Sequence, residues 1–351
     1  MSLPIRIGLL RLVDSAPILV AQRSGLFAAL GLDVTVSIEP SWSNLADKLT
    51  YGVLDAGIML PPLVLAAAMG LRGPRAKLIV TMGLSQGGNS IVLRDNVATT
   101  LEQPAGRMML PWLNRFKAER GRVPRFAVVH HFSTHNLLLR YWLAAAGADP
   151  ERHIETVVIP PEQVADALAT GRIEGFCAGA PWGEVAQAAG AGRVVLGSST
   201  IWPAHPEKCL ALAAPWADAN PDAARLLVRA VLQARAKCDD PAEAAGIAAM
   251  LASPEDGLGL PEGPTRAALA GGAGVEGVLF HPRSAAYPSH AHAMWFLREM
   301  ARWGWVDAGV DLDAVARRVY RPELLAGEGI PAGLGSAGLG PVTMPSEFPA
   351  L

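Results

Sequence analysis

The chain has 351 residues, of which 51% are hydrophobic and 18% are charged, and its formal net charge is −2 at pH 7. This length suggests two lobes or domains, and the apolar content is high enough for a large core, which excludes a disordered protein. Because there is no net basic charge, a nucleic-acid-binding function is disfavoured. The three cysteines are widely spaced and indicate neither a disulfide framework nor a zinc cluster.

The start of the chain lacks the basic region, apolar stretch and small-residue cleavage site of a secretory signal. The sequence as written therefore predicts a cytoplasmic protein, or a periplasmic one if an export signal has been removed. The longest apolar stretch, residues 56–71, is interrupted by two prolines and is too short to span a bilayer. No membrane insertion is predicted.

Short apolar strands alternate with helical segments over most of the chain, which is typical of parallel α/β sheets. In the first block, the predicted strands are residues 5–12, 34–39, 54–59 and 77–82, and the predicted helices are residues 17–30, 44–51 and 61–69. In a second, similar block, the predicted strands are residues 126–129, 155–159, 175–178 and 194–196, and the predicted helices are residues 133–146, 161–169 and 181–189.

From residue 208 onward the pattern becomes helical and rich in alanine. The predicted helices there are residues 221–237, 241–251, 264–270, 291–302 and 311–319. We predict an α/β fold of two lobes with a cleft between them and a helical C-terminal part. Residues 1–93 and 208–325 form lobe I, residues 94–207 form lobe II, and residues 326–351 form an extended tail. Ligands of such sheets bind at the carboxyl ends of strands, so the site is expected in loops that follow strands.

Two of these loops supply hydroxyl, indole and amide groups. Residues 41–44 place Trp42 and Ser43 at the start of a predicted helix, where helix capping is the alternative role for the serines. Residues 86–90 contain two glycines that allow Asn89 to approach a small ligand closely, and an ordinary turn is the alternative.

The densest cluster of polar residues is residues 130–136, which contains three histidines. A zinc site is disfavoured because the cysteines are isolated and there is no His-Glu-x-x-His helix. His135 and Thr134 lie instead near a helix start, where donors face an anion favourably. Gly179 occupies an equivalent position between a strand and a helix, and it permits close approach of backbone.

Lys208 follows a His-Pro-Glu segment and is either a solvated surface charge or a buried counter-ion. An enzyme would need a nucleophile with a base, paired carboxylates or a cofactor fingerprint, and the sequence offers no glycine-rich nucleotide motif or nucleophile elbow. Cys177 with His135 is a conceivable thiolate pair, but packing in an apolar strand is favoured. The sequence therefore predicts neither catalysis nor a cofactor or metal.

Several motifs occur together in one order along the chain. They are residues 12–21 (LVDSAPILVA), 31–34 (GLDV), 41–44 (SWSN), 47–49 (DKL), 54–56 (LDA), 134–136 (THN), 140–144 (RYWLA) and 176–182 (FCAGAPW). This order resembles the nitrate and bicarbonate solute-binding family, over about residues 5 to 320. The resemblance implies the type II periplasmic-binding-protein fold and a role with nitrate ABC transporters.

The resemblance also implies which residues bind the ligand. They are the cleft tryptophan Trp42, the amide residue Asn89, the cleft histidine His135, the backbone donor Gly179 and the nitrate-pairing lysine Lys208. A bicarbonate-binding member has a carboxylate near the lysine position and uses calcium. Because Lys208 supplies a positive charge itself, the resemblance favours nitrate or nitrite without a metal.

Two functions follow from the resemblance. The first is a cytoplasmic sensor that holds an RNA-binding antitermination regulator when empty and releases it when nitrate or nitrite binds. The second is the substrate-binding component of a nitrate ABC transporter, whose partner is a permease. The missing export signal favours the sensor. A third relative of the fold, the thiamine-pyrimidine synthase, has a cysteine-rich iron motif that this sequence lacks.

Overall fold

The computed structural model describes residues 4–98, 108–272, 276–280 and 286–325. The predicted extended tail, residues 326–351, lies outside these ranges. The strands of the described part are β1 (Pro4–Leu9), β2 (Asp33–Ile38), β3 (Ala56–Met59), β4 (Leu78–Gly83), β5 (Gln86–Gly87), β6 (Asn89–Arg94), β7 (Arg125–Val128), β8 (Glu155–Val158), β9 (Gly175–Gly179), β10 (Gly192–Gly197), β11 (Cys209–Ala213) and β12 (Val278–Leu279).

The helices of the described part cover the faces of the sheets or form the C-terminal region. They are α1 (Ala16–Arg23), α2 (Leu26–Ala29), α3 (Trp42–Thr50), α4 (Pro61–Met69), α5 (Asp95–Ala98), α6 (Met109–Arg120), α7 (Thr134–Ala145), α8 (Pro150–His153), α9 (Val164–Ala169), α10 (Trp182–Ala188), α11 (Ser198–Ile201), α12 (Ala214–Ala219), α13 (Pro221–Cys238), α14 (Ala244–Ala252), α15 (Glu262–Ala270), α16 (His290–Arg302) and α17 (Leu312–Val319). Short 3₁₀ turns occur at Val13–Ser15, Pro161–Gln163 and Pro322–Leu325.

Two five-stranded sheets form the centres of two lobes. The sheet of lobe I has the order β2-β1-β3-β11-β4, and the sheet of lobe II has the order β10-β6-β9-β7-β8. In each sheet one inserted strand runs against its neighbours: β11 is antiparallel to β3 and β4, and β6 is antiparallel to β9 and β10. The fold is therefore the predicted two-lobed α/β architecture, but its sheets are mixed rather than parallel.

Serine caps determine where the two helices nearest the cleft begin. The Ser41 hydroxyl accepts a hydrogen bond of 3.1 Å from the Asn44 amide at the start of α3. The Ser133 hydroxyl accepts the equivalent 3.1 Å bond from the Asn136 amide at the start of α7. Such caps satisfy amide groups that have no partner within the helix. As a result, α3 begins at Trp42 and α7 at Thr134, each just after a strand has ended.

The structure differs from the sequence predictions at five places. Residues 209–213, expected in a helical region, form β11 inside the first sheet. Strand β6 and helix α6 were not predicted. Because β6 belongs to the second sheet, the predicted lobe boundary between residues 93 and 94 is wrong, and the chain crosses before residue 89. The predicted helix 17–30 is interrupted by Gly25, whose φ is +70°.

Two antiparallel chain segments connect the lobes. The Leu84 amide donates to the Lys208 carbonyl at 2.7 Å, and the Gly87 amide donates to the His205 carbonyl at 3.1 Å. Strand β12 pairs with β5 and adds a third segment to this crossing. The connection is therefore a small ladder of backbone hydrogen bonds, and it ends at Lys208.

The two lobes also touch directly across the cleft. The Val13 amide of lobe I donates to the Ala180 carbonyl of lobe II at 3.1 Å. The Trp182 indole of lobe II donates to the Arg11 carbonyl of lobe I at 3.0 Å. These bonds show a closed arrangement in which the ends of β1 and β9 face each other. Within the described residues, no helix has the length and apolar character needed to cross a membrane.

Gly175, the first residue of β9, provides a test of the lobe II core. A Cβ at this position would lie 2.7 Å from both Leu93 Cδ2 and Phe126 Cε1. We expect Gly175→Ala to lower the free energy of unfolding by about 1–3 kcal/mol, since overpacking forces neighbouring side chains to move. Urea denaturation measures this change.

Gly246 in helix α14 is the matched control, because a Cβ there would meet nothing within 4 Å. Gly246→Ala should raise the free energy of unfolding by about 0.5–1 kcal/mol through helix propensity. Equal stability of Gly175→Ala and the wild type would contradict the tight packing of β9.

Candidate functional site

Three charged side chains lie buried together where the crossing segments meet lobe I. The ammonium Nζ of Lys208 is 2.8 Å from Glu207 Oε1 and 3.6 Å from Asp14 Oδ2. The side chains of Lys208 and Glu207 are 0% exposed and that of Asp14 is 2% exposed. We call Asp14, Glu207 and Lys208 the ion cluster.

The three residues of the ion cluster lie in backbone segments next to strands of the lobe I sheet. Asp14 lies in the 3₁₀ turn Val13–Ser15 after β1, and Glu207 and Lys208 directly precede β11. Ser85, on the other crossing segment, donates its hydroxyl to Asp14 Oδ1 and accepts a 3.2 Å bond from the Lys208 amide. The cluster therefore joins lobe I to both crossing segments.

Gly179, which has no side chain, lies next to the ion cluster and among three polar side chains. A Cβ at Gly179 would lie 3.3 Å from Lys208 Nζ, 3.4 Å from Asn89 Oδ1 and 3.4 Å from His135 Nε2. Asn89 and Gly179 are also register partners in the β6–β9 ladder. We call the space bounded by Gly179, Asn89, His135 and Lys208 the Gly179 recess.

Several buried polar atoms around the cleft have no hydrogen-bond partner among the described residues. They include both ring nitrogens of His135, Asn89 Oδ1, Thr134 Oγ1 and Trp42 Nε1. Buried polar groups in native proteins are almost always paired, because an unpaired group costs about 1–3 kcal/mol. Asn89 Oδ1 and His135 Nε2 lie beside Gly179, so at least these two unpaired atoms indicate a place for a small polar ligand.

Burial determines the charges in this region. It lowers the pKa of His135 well below its ordinary value, and the nearby Lys208 ammonium lowers it further. Burial alone would also lower the pKa of Lys208, but the Asp14 and Glu207 carboxylates outweigh it and leave that pKa raised. At neutral pH His135 is therefore a neutral ring and Lys208 a cation.

Glu207 behaves differently from Lys208. Burial raises the pKa of the Glu207 carboxyl group, and the opposing effect of the Lys208 ammonium is smaller. A raised pKa means that Glu207 takes up a proton more readily than an ordinary glutamate.

The ion cluster does not suit a bound calcium ion. The Lys208 ammonium already lies between the two carboxylates, where a cation would bind. Within the described ranges, no group of three or more His, Cys, Asp or Glu side chains is arranged to hold a metal. Cys177 lies fully buried, and burial raises the pKa of its thiol, which keeps the sulfur protonated and unreactive.

The structure brings four of the residues proposed from sequence into one recess: Asn89, His135, Gly179 and Lys208. Thr134 is buried beside His135 at the start of α7. Trp42 is buried at the start of α3, on the edge of lobe I where Asp14 follows the neighbouring strand. Ser43, in contrast, is exposed and lies outside this set.

The structure shows Lys208 as a buried counter-ion, one of the two roles that the sequence left open, but not as the lysine without a nearby carboxylate that the resemblance implied. Asp14 and Glu207 both pair with it. Glu207 is its immediate neighbour in the sequence, a signal that was present but unused. Asp14 and Ser85 are 194 and 123 positions away from Lys208, and no local pattern links them to it.

Removing the Lys208 ammonium from the ion cluster should have a large effect on the free energy of unfolding. We expect Lys208→Met to lower the free energy of unfolding by about 3–5 kcal/mol at pH 8, because two buried carboxylates are left without their partner. The loss should be smaller at pH 5. The pKa of the Glu207 carboxyl group is raised in the folded state. Its contribution to the free energy of unfolding is therefore present at low pH and is lost as the pH rises through that pKa.

Denaturation at the two pH values measures the difference. Lys237→Met, at an exposed position on α13, is the control and should change the free energy of unfolding by less than about 0.5 kcal/mol. A loss for Lys208→Met that is no larger than the control's would show that the ion cluster contributes nothing.

Comparison with known proteins gives the family. Residues 2–252 match the model of the NMT1-like family. The chain is 34% identical over 331 residues to the nitrate import ATP-binding protein NrtC of Synechocystis sp., covering 91% of this chain and 48% of that protein. The chain thus spans about half the length of such ATP-binding relatives.

Other relatives are matched over most of their length. The nitrate/nitrite binding protein NrtA of Synechococcus elongatus is 31% identical over 339 residues, covering 91% of this chain and 76% of that protein. The crystal structure of the periplasmic nitrate-binding protein NrtA from Synechocystis PCC 6803 superimposes with a TM-score of 0.88 at 27% identity, covering 96% of this chain and 91% of that one. The chain therefore belongs to the NMT1-like family and is a homologue of the NrtA and CmpA nitrate- and bicarbonate-binding proteins, with their periplasmic-binding fold.

Proposed function

We propose that this protein binds nitrate or nitrite reversibly between its lobes and performs no chemistry on it. The observation that carries this proposal is the set of unpartnered polar atoms around the Gly179 recess, next to a buried ammonium. The NrtA relatives, which are named for nitrate and nitrite binding, support the same ligand.

Nitrate suits the physical character of the recess. The ion has one negative charge and three oxygens that accept hydrogen bonds, so it needs several donors and a nearby cation in a place without bulk water. His135, Thr134 and Trp42 bring donors from both lobes, and Lys208 supplies the cation. An ion bound between the closed lobes would receive contacts from both of them.

The same residues are poorly suited to catalysis. A nucleophile requires an ionised or activated group, and burial keeps the Cys177 thiol protonated. Among the described residues, no carboxylate or hydroxyl lies within hydrogen-bond distance of the His135 ring nitrogens, so none of them orients this ring as a base.

Gly179→Ala tests the site without removing a charge. The added methyl group would occupy the recess at 3.3–3.4 Å from Lys208 Nζ, Asn89 Oδ1 and His135 Nε2, a tight contact without a severe clash. We expect nitrate affinity to fall at least about tenfold, since filling a packed site costs ~1–3 kcal/mol. Isothermal titration calorimetry with nitrate, nitrite and bicarbonate measures the effect.

Ser43→Ala is the control for this titration, because Ser43 is exposed. It should bind nitrate within about twofold of the wild type. Wild-type affinity in Gly179→Ala would place the ligand elsewhere, and binding of bicarbonate instead of nitrate would overturn the assignment of the ligand.

The second part of the proposal concerns the partner protein that recognises the closed, anion-bound lobes. We propose, as the sequence predicted, a cytoplasmic sensor that holds an antitermination regulator when empty and releases it when the anion binds. A component of a nitrate ABC transporter is the second candidate, and the likeness to NrtC, a nitrate import ATP-binding protein, favours it. The two roles differ in the partner that recognises lobe closure.

A capture experiment separates the two roles. The tagged protein is incubated with extract of its own cells, and 1 equivalent or more of nitrate is then added. For a sensor, we expect an RNA-binding response regulator to be retained and then released, and Gly179→Ala to retain it in the presence of nitrate. Co-purification with a permease, together with loss of nitrate uptake on gene deletion, would reject the sensor in favour of the transporter.

A further inference from the structure

The amide of Asn89 points the wrong way for an anion. Its Nδ2 donates a 2.8 Å hydrogen bond to Glu207 Oε2, and its carbonyl oxygen Oδ1 is left buried without a partner, facing the Gly179 recess. A carbonyl oxygen repels the oxygens of nitrate. Asn89 can donate to an anion only if its amide turns so that Nδ2 takes the place of Oδ1.

Glu207 controls this turn. An ionised carboxylate only accepts hydrogen bonds, so it requires Nδ2 of Asn89 to face Oε2. A protonated carboxyl group donates through its O–H and would instead bond to Asn89 Oδ1. The amide would then direct Nδ2 into the recess, toward Lys208 Nζ and His135 Nε2.

The charge balance of the ion cluster points in the same direction. With both carboxyl groups ionised, Asp14, Glu207 and Lys208 together carry one negative charge. A bound anion would add a second negative charge to a region from which water is excluded, which is costly. One proton on Glu207 neutralises the ion cluster before the anion is added.

We propose that the site binds its anion together with one proton, which is taken up by Glu207 and turns Asn89 into a donor. This inference rests on the proposed function. The proton comes from solvent and forms the O–H bond at Oε2, the hydrogen bond from Nδ2 breaks, and no covalent bond to the anion forms. Glu207 is thus a positioning residue that acts through Asn89.

The two histidines near Glu207 are less able to take the proton. His135 Nε2 lies 3.7 Å and His205 Nδ1 3.6 Å from the carboxylate, and burial lowers the pKa of both rings, that of His205 to about 4. Asp14 accepts a hydrogen bond from Ser85 Oγ and lies 3.6 Å from Lys208 Nζ, and in the contact network that ammonium separates it from Glu207, the partner of Asn89.

The remaining titratable groups that act on this region are Lys208 and the thiols of Cys177 and Cys209. Lys208 already carries its proton, and both thiols are kept protonated by burial. Glu276, near His205, bonds instead to Ser198 and Ser199. Burial raises the pKa of Glu207, which agrees with its being the group that is protonated.

Calorimetry of the full chain with sodium nitrate tests the coupling. Titrations at pH 6, 7 and 8, each in two buffers of different ionisation enthalpy, give the number of protons taken up per nitrate. We expect about one proton per nitrate, and a Kd that rises about tenfold per pH unit above the pKa of Glu207 in the free protein. Nitrate binding with no proton uptake at any of these pH values would overturn the inference.

Glu207→Gln isolates the responsible group. Because Lys208 Nζ requires an oxygen at the Oε1 position, the glutamine amide places its Nε2 group opposite Asn89 and donates to Oδ1, as the protonated carboxyl group would. Nitrate should therefore bind with an affinity that does not change with pH and without proton uptake. Glu184→Gln is the matched control: Glu184 is also a buried glutamate with a raised pKa, but it lies outside the ion cluster. This control should keep the wild-type pH dependence.

Persistent proton uptake in Glu207→Gln would assign the proton to another group and reject the proposal. If that variant does not fold, the wild-type proton count still decides whether the coupling exists. Absence of nitrate binding at every pH would instead contradict the proposed function itself, so the two failures are distinguishable.

Discussion

The buried ion cluster of Asp14, Glu207 and Lys208 sets the position of everything around the cleft. An ammonium and two carboxylates removed from water are stable only while they remain in contact. This requirement holds the turn after β1 against the segment that crosses between the lobes. The cluster therefore fixes one end of the crossing segments, and Asn89, Gly179 and His135 of lobe II are arranged around it.

The Gly179 recess lies beside the ion cluster, at a residue without a side chain. Gly179 is the last residue of β9, and the Cβ of any other residue at that position would contact Lys208 Nζ and His135 Nε2 at 3.3–3.4 Å. The helices that begin at Trp42 and Thr134 then bring polar atoms that find no partner within the described chain. Hydrogen-bond donors beside a buried ammonium are suited to holding an anion when the proposed proton on Glu207 offsets the second carboxylate, whereas a site for chemistry would need an activated nucleophile.

The sequence predicts the architecture well where local signals are strong. Helix α4 was predicted with its observed bounds, since two prolines open it and Gly70 ends it with a φ of +82°. Strand β11 was missed, because five apolar residues buried on all sides carry no alternation that distinguishes a strand from the alanine-rich helices that follow.

The candidate site could be predicted only in part, for a related reason. Asn89, His135, Gly179 and Lys208 each lie at a junction of a strand with a loop or helix, and such junctions can be recognised from sequence. The pairing of Lys208 with Asp14 depends on two segments far apart in the chain. The orientation of the Asn89 amide depends on the neighbouring Glu207, and neither relationship leaves a local pattern.

Strand order has a consequence for how the protein is made. The lobe II sheet is built entirely from residues between Asn89 and Gly197, but the lobe I sheet needs β11 between β3 and β4. A ribosome delivers residue 213 only after all of lobe II has emerged. During translation, the lobe I sheet therefore lacks its β11 strand between β3 and β4 until late, whereas the lobe II sheet can form first.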